Sequence, residues 1–198
     1  MNANTTALLL IDLQNDVLDP DGAFTRGNFT TAEMRAVVSR VAPAAKALKA
    51  RKGFVAASLF TLWPGANGEP IFSQHTRNLK SALRKGDFAP SSWGQATTAA
   101  ITPYVDVTVF KVSQSAFFNT PLDWILRHTG VETVAFAGIA TNASVAASVR
   151  DAHLRDYHCV VLTDGCAAFN PAAHDAGLSE LKPLAHLMTC SEFITQLT

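Results

Sequence analysis

The sequence is poor in the features that mark specialised protein classes. It has only three cysteines, Cys159, Cys166 and Cys190, an odd number with no Cys-x-x-Cys spacing. That pattern supports neither a disulfide framework nor a zinc knuckle. It carries no excess of either charge: 16 Lys and Arg balance 16 Asp and Glu. A neutral chain without a basic stretch has no built-in attraction to nucleic acid or to an acidic membrane. No apolar run is long enough to span a bilayer. The first run, residues 7–11, is also too short for a secretory core and has no charged flank. A cytoplasmic protein is the expectation. The six histidines are scattered without ligand spacing, so no metal and no other cofactor is expected. No P-loop, Gly-x-Gly-x-x-Gly or Gly-x-Ser-x-Gly element is present.

What is present is ordinary globular material. Hydrophobic residues make up 48% of the 198 positions and charged residues 16%. This suits a single domain over residues 1–198 with one sizeable core. Short apolar runs at residues 6–11, 54–60, 105–110, 133–137, 159–162 and 186–188 read as strands. Their near-continuous hydrophobicity is that of strands buried on both faces. Helical patterns lie between them, at residues 31–52, 121–128, 144–154 and 171–181. In the first, Ala36, Val37, Val41, Ala44, Ala45 and Leu48 form an apolar stripe, and a kink is expected at Pro43. Residues 63–70 are a Gly- and Pro-rich loop, and residues 86–94 an irregular excursion. The alternation predicts an α/β three-layer sandwich around a mostly parallel six-stranded sheet.

In such sheets ligands bind beyond the carboxyl ends of the strands, so chemistry is sought just after strands. Three places pass that filter. Asp12 ends the first strand, where a carboxylate is costly unless paired; it reads either as a proton-transfer group or as a cap for the next turn. Lys111 follows the third strand and reads either as a cation beside a reacting centre or as a lysine reaching for solvent. Ser144 falls in the first turn of the helix after Gly138. There free amides and the helix dipole favour negative charge, as at a nucleophile with an oxyanion hole; the alternative is plain packing behind an N-cap at Thr141 or Asn142. Cys166 also follows a strand and reads as a small buried cysteine.

Together these segments resemble the isochorismatase-like cysteine hydrolases over nearly the whole chain. The family's Asp-x-Gln-x-Asp opening appears as Asp12-Leu13-Gln14-Asn15-Asp16, and its Trp-Gly as Trp93-Gly94. Its Lys followed by Ser-Ala-Phe appears as Lys111 and Ser115-Ala116-Phe117, with Thr120-Pro121-Leu122 next. Its Gly-x-x-Thr-Asn-x-Cys-Val appears as Gly138 through Val145, followed by Arg150-Asp151-Ala152 and then Asp164-Gly165-Cys166-Ala167. The resemblance implies that Asp12 is the general base, that Lys111 stabilises charge, and that a cis peptide joins Ile139 to Ala140. It also implies an oxyanion hole made by the N–H groups of Ala140 and Ser144. The implied reaction is hydrolysis of a C–N bond in a small amide, ureide or carbamoyl compound, in a homodimer or homotetramer. Phe24, Trp93 and Phe117 are expected as pocket walls.

Two departures bear on function. The family nucleophile is cysteine, whereas Ser144 stands here. A hydroxyl holds its proton far more tightly than a thiol, whose free pKa is about 8.5. Three explanations are open: an introduced replacement that traps substrate, a natural serine nucleophile, or a dispensable nucleophile. In the last case Asp12 would protonate a vinyl ether, as in isochorismatase-type members. An inactive ligand-binding homologue is a further alternative. Second, metal-dependent nicotinamidases carry an Asp-x-His and a further His after the second strand; Ser58-Leu59-Phe60-Thr61-Leu62-Trp63-Pro64 offers no such set.

Overall fold

The computed structural model describes residues 1–79 and 81–198. Six strands form one sheet, all pairs parallel: β1 (Thr6–Ile11), β2 (Phe54–Phe60), β3 (Val107–Lys111), β4 (Thr133–Ile139), β5 (His158–Ala167) and β6 (His186–Met188). Their spatial order is β3-β2-β1-β4-β5-β6. The chain therefore winds outward from β1 to one edge, then returns to the middle and winds outward to the other. β1 lies at the centre of this reversal, which is why every one of its residues is buried.

Alternate residues of β1 serve opposite cores. Leu8 and Leu10 pack with α3 (Ala32–Ala50) and with Phe193 of α8 (Cys190–Gln196). Ala7, Leu9 and Ile11 pack with Leu122 and Leu126 of α5 (Leu122–His128), with Val149 and Ala152 of α6 (Ala146–His153), and with Leu181 of α7 (Pro171–Leu181). The result is the helix–sheet–helix sandwich read from the sequence. Short helices α1 (Asn15–Leu18), α2 (Ala23–Arg26) and α4 (Gln74–Leu79) complete the set.

Several elements differ from expectation for local reasons. The Thr31 hydroxyl caps α3 by accepting from the Met34 N–H, and Met34 joins the buried stripe while Ala36 is only half-buried. Pro43 does not interrupt α3: it lies on the exposed side, where the Ser39 carbonyl deprived of its amide partner can meet water. β5 runs well past Leu162, because a register shift against β4 between Phe136 and Gly138 carries pairing on to Ala167. α1, α2 and α4 are too short to leave a periodic signal. Among the described residues no helix is long and apolar enough to cross a membrane.

Candidate active site

Asp12 lies just past β1 in the left-handed region at φ 54°, a conformation aspartate tolerates better than most residues. Its carboxylate is buried, with only 6% exposure, and both oxygens are used. Oδ1 accepts from the Phe60 N–H at 2.9 Å, and Oδ2 accepts from Lys111 Nζ at 2.8 Å. Lys111, the last residue of β3, is 1% exposed. Its ammonium has three hydrogens, and three acceptors surround it: Asp12 Oδ2, the Ser113 carbonyl at 3.0 Å and Ser144 Oγ at 3.3 Å. The ammonium thus bridges the carboxylate and the hydroxyl. The three segments predicted to meet at one sheet edge do so.

Ser144 sits in a π-helical turn, Thr141–Val145, that precedes α6. Such wide turns recur at functional sites. The Ile139–Ala140 peptide bond ahead of it is cis. Ser148 fixes the turn from below, donating to the Ser144 carbonyl at 2.7 Å and accepting from the Ala116 N–H at 2.9 Å. The Ser-Ala-Phe segment after Lys111 is therefore tied to the turn that carries Ser144. Thr141 Oγ1 lies 2.8 Å from His174 Nδ1, which anchors the same turn to α7. Gly138 leads into it at φ 139°, where a side chain would also collide with the Ile11 carbonyl.

Two further residues of the opening motif have visible work. Gln14 binds Phe60 as a neighbouring strand would: Oε1 accepts from its N–H at 2.8 Å, and Nε2 donates to its carbonyl at 3.1 Å. Asp16 is 4% exposed and joins two distant segments. Its Oδ1 accepts from the Ala23 N–H at 3.1 Å and its Oδ2 from the Phe88 N–H at 2.6 Å. Burial raises its pKa, with the two amides opposing the rise. Gly94 abuts this carboxylate so closely that any side chain there would collide with it, which gives the Trp-Gly pair a physical reason.

The Asp12, Lys111 and Ser144 side chains form part of the lining of a cavity of about 650 Å³. Phe24 lines it, as expected from the sequence, but Trp93 and Phe117 do not. Trp93 is 55% exposed on the surface. Phe117 is buried in the opposite core, 6.1 Å from the Tyr157 ring. Both expectations are corrected: an aromatic beside a motif does not reveal which side of the sheet it serves. The walls are instead Phe29, Phe60, Phe88 and Phe169, missed because they lie at strand ends and in turns without periodicity. Phe60, which directly follows Leu59 at the end of β2, was open to the same strand-end filter that found Lys111.

Among the described residues no group of three His, Cys, Asp or Glu side chains could hold a metal ion. Cys166, also a strand-following residue, is 3% exposed and is not part of the cavity wall; burial pushes its thiol up to about 12.

The comparisons with known proteins agree with this architecture. The chain is 32% identical over 195 residues to the ureidoacrylate amidohydrolase RutB of Methylobacterium radiotolerans, covering 90% of this chain and 73% of that protein. Its fold is similar to that of a cysteine hydrolase from Pseudomonas syringae pv. phaseolicola, with TM-score 0.84 and 23% identity, covering 98% of this chain and 93% of the other. It is similar also to the pyrazinamidase of Pyrococcus horikoshii in complex with zinc, with TM-score 0.77 and 21% identity, covering 93% and 99% of the two chains. The isochorismatase domain model matches residues 6–192. With nearly its whole length matched, the chain belongs to the isochorismatase family of hydrolases.

Proposed function

We propose that this site hydrolyses the C–N bond of an amide, ureide or carbamoyl compound. The observation that carries the reading is the Lys111 ammonium within hydrogen-bond distance of both the Asp12 carboxylate and the Ser144 hydroxyl, at the wall of the cavity. The likeness to a ureidoacrylate amidohydrolase supports it.

In this mechanism Asp12 takes the Ser144 proton as Oγ bonds to the carbonyl carbon. The oxyanion is held by the N–H groups of Ala140 and Ser144, with Lys111 supplying positive charge nearby. The C–N bond then breaks as Asp12 returns the proton to the departing nitrogen. Water, deprotonated by the same carboxylate, adds to the acyl carbon, and release of the acid restores the serine hydroxyl. A hydroxyl is intrinsically the poorer nucleophile, so the chain with Ser144 is expected to be slower than its Ser144→Cys variant. The test is ammonia release from a panel of amides and ureides by both proteins. Release that is faster with the thiol and abolished by Asp12→Asn supports the reading; no release from any compound by either protein refutes it.

A second reading rests on the hydroxyl itself. If no nucleophile is needed, Asp12 protonates a vinyl ether such as isochorismate and water completes the cleavage. Consumption of isochorismate that survives Ser144→Ala would select this reading over the first.

A further inference from the structure

A backbone amide that is to hold an oxyanion must be both free and aimed. Ala140 is free. It is 4% exposed on the cavity wall, and its N–H donates to nothing among the described residues. Its carbonyl is the engaged end, accepting from the Ala143 N–H at 3.0 Å and the Val145 N–H at 3.2 Å. Its aim depends on the turn that follows, Thr141–Val145, which is held from two sides. On one side Ser148 donates to the Ser144 carbonyl at 2.7 Å. On the other lies α7. Thr141, the residue next to Ala140, is fully buried, and its hydroxyl has one partner among the described residues, His174 Nδ1 at 2.8 Å. Gly177, about one turn further along α7, lies so close that a Cβ there would stand 3.0 Å from the Asn142 N and Cα. α7 thus grips two consecutive residues of the turn, one by a hydrogen bond and one by contact.

Resting on the C–N hydrolysis reading above, we propose that His174 is a positioning residue for the reaction. Through Thr141 it holds the Ala140 N–H in line with the oxyanion. His174 is half-buried on α7 and does not line the cavity, so it acts through the turn and touches no reacting atom. The chemistry of the pair suits this role. A threonine hydroxyl donates to a neutral imidazole nitrogen or accepts from an imidazole N–H, so the bond survives either tautomer. Without that partner the buried hydroxyl would compete for backbone groups nearby, and the nearest belong to the turn itself. Misplacing a reacting or binding group by about 1 Å can cost about a hundredfold in rate, so a small shift of the Ala140 amide is enough to matter.

The experiment compares Ser144→Cys alone with Ser144→Cys carrying His174→Leu, His174→Asn, Thr141→Val, or His174→Leu and Thr141→Val together. Ammonia release from butanamide gives kcat and KM, calorimetry gives the affinity for butanal, and urea unfolding gives the folded fraction. Butanal reports on the amide without turnover. The thiol gives its proton to Asp12, sulfur bonds to the aldehyde carbon, and the C=O electron pair moves to oxygen, which takes the place of the oxyanion. His174→Leu and Thr141→Val are each expected to lower kcat by about tenfold or more with KM little changed, and to weaken butanal by a similar factor. The two together are expected to lose no more than either alone, since both remove one bond. His174→Asn sets an amide near the place of Nδ1, able to donate or accept, and is expected to recover most of both losses. Unchanged kcat and butanal affinity in His174→Leu, a loss that His174→Asn shares in full, a loss in KM alone, or a loss matching the unfolded fraction overturns the inference and leaves C–N hydrolysis standing. No ammonia from butanamide or the wider panel, with butanal bound and weakened by His174→Leu, overturns the hydrolytic reading and leaves His174 as the residue that aims the amide.

Discussion

Replacing Asp16 by asparagine is the most informative single perturbation of the scaffold. The carboxylate is buried and each oxygen accepts one backbone N–H, from Ala23 and from Phe88. Asparagine keeps one oxygen, and its NH₂ must then face the other N–H, donor against donor. A buried orphaned donor costs about 1–3 kcal/mol, and a hydrogen bond to a charged acceptor is worth about 1.5–3 kcal/mol. Loss of the buried carboxylate returns part of this, because burial disfavours the ionised form and raises the Asp16 pKa. A net loss of about 2–3 kcal/mol at neutral pH is expected from these opposing effects. The pH dependence has a definite sign. A carboxyl whose folded pKa is raised contributes most at acid pH, and that contribution falls as pH climbs from about 4 through the raised value. The stability gap between the unsubstituted chain and the Asp16→Asn variant therefore narrows as pH rises. Urea denaturation of both proteins at several pH values measures it. A loss under about 0.5 kcal/mol would mean that neither amide depends on the carboxylate, and a gap that widens with pH would reverse the assigned cause of the shift.

Three other outcomes follow from the same geometry. Lys111→Met strands the buried Asp12 carboxylate and is expected to cost about 3–5 kcal/mol, while adding Asp12→Asn recovers part of the loss; additive urea-unfolding energies would show that the pair is not coupled. Gly138→Ala places a side chain against the Ile11 backbone at φ 139°, and circular dichroism should find the chain unfolded or destabilised by more than about 4 kcal/mol. Burial pushes the Cys159 and Cys166 thiols up to about 11 and about 12 and raises that of Cys190 as well, so all three stay protonated at pH 8. A thiol reagent should leave the folded Ser144 chain unlabelled and react with one equivalent in Ser144→Cys; rapid labelling of the Ser144 chain would contradict the burial.

The sheet was legible because strands buried on both faces leave near-continuous apolar runs, and four of the six runs fix where their strands begin. Asp12, Lys111 and Ser144 could be singled out because each follows such a run, and a parallel sheet sends all those ends to one side. Their mutual distances were not legible, since residues 99 and 33 apart in sequence meet only through strand order. The cavity wall was the hardest part. Phe24 was found, but Trp93 faces solvent and Phe117 serves the far core, while Phe88 is brought to the wall through the Asp16 carboxylate. Side-chain direction in turns is set by such long-range hydrogen bonds, which carry no local periodicity.

The reversal of winding at β1 has a consequence for synthesis of the chain. β2 and β3 close one flank of β1, but the other flank waits for β4, which begins only at Thr133. A nascent polypeptide that has emerged as far as α5 therefore displays an open strand edge, apolar from Ala7 to Ile11, at its middle, able to pair with a neighbouring nascent chain on the same message. Ribosome-stalled fragments ending before Thr133 are expected to aggregate or recruit a chaperone, and those extended past Ile139 to lose that tendency.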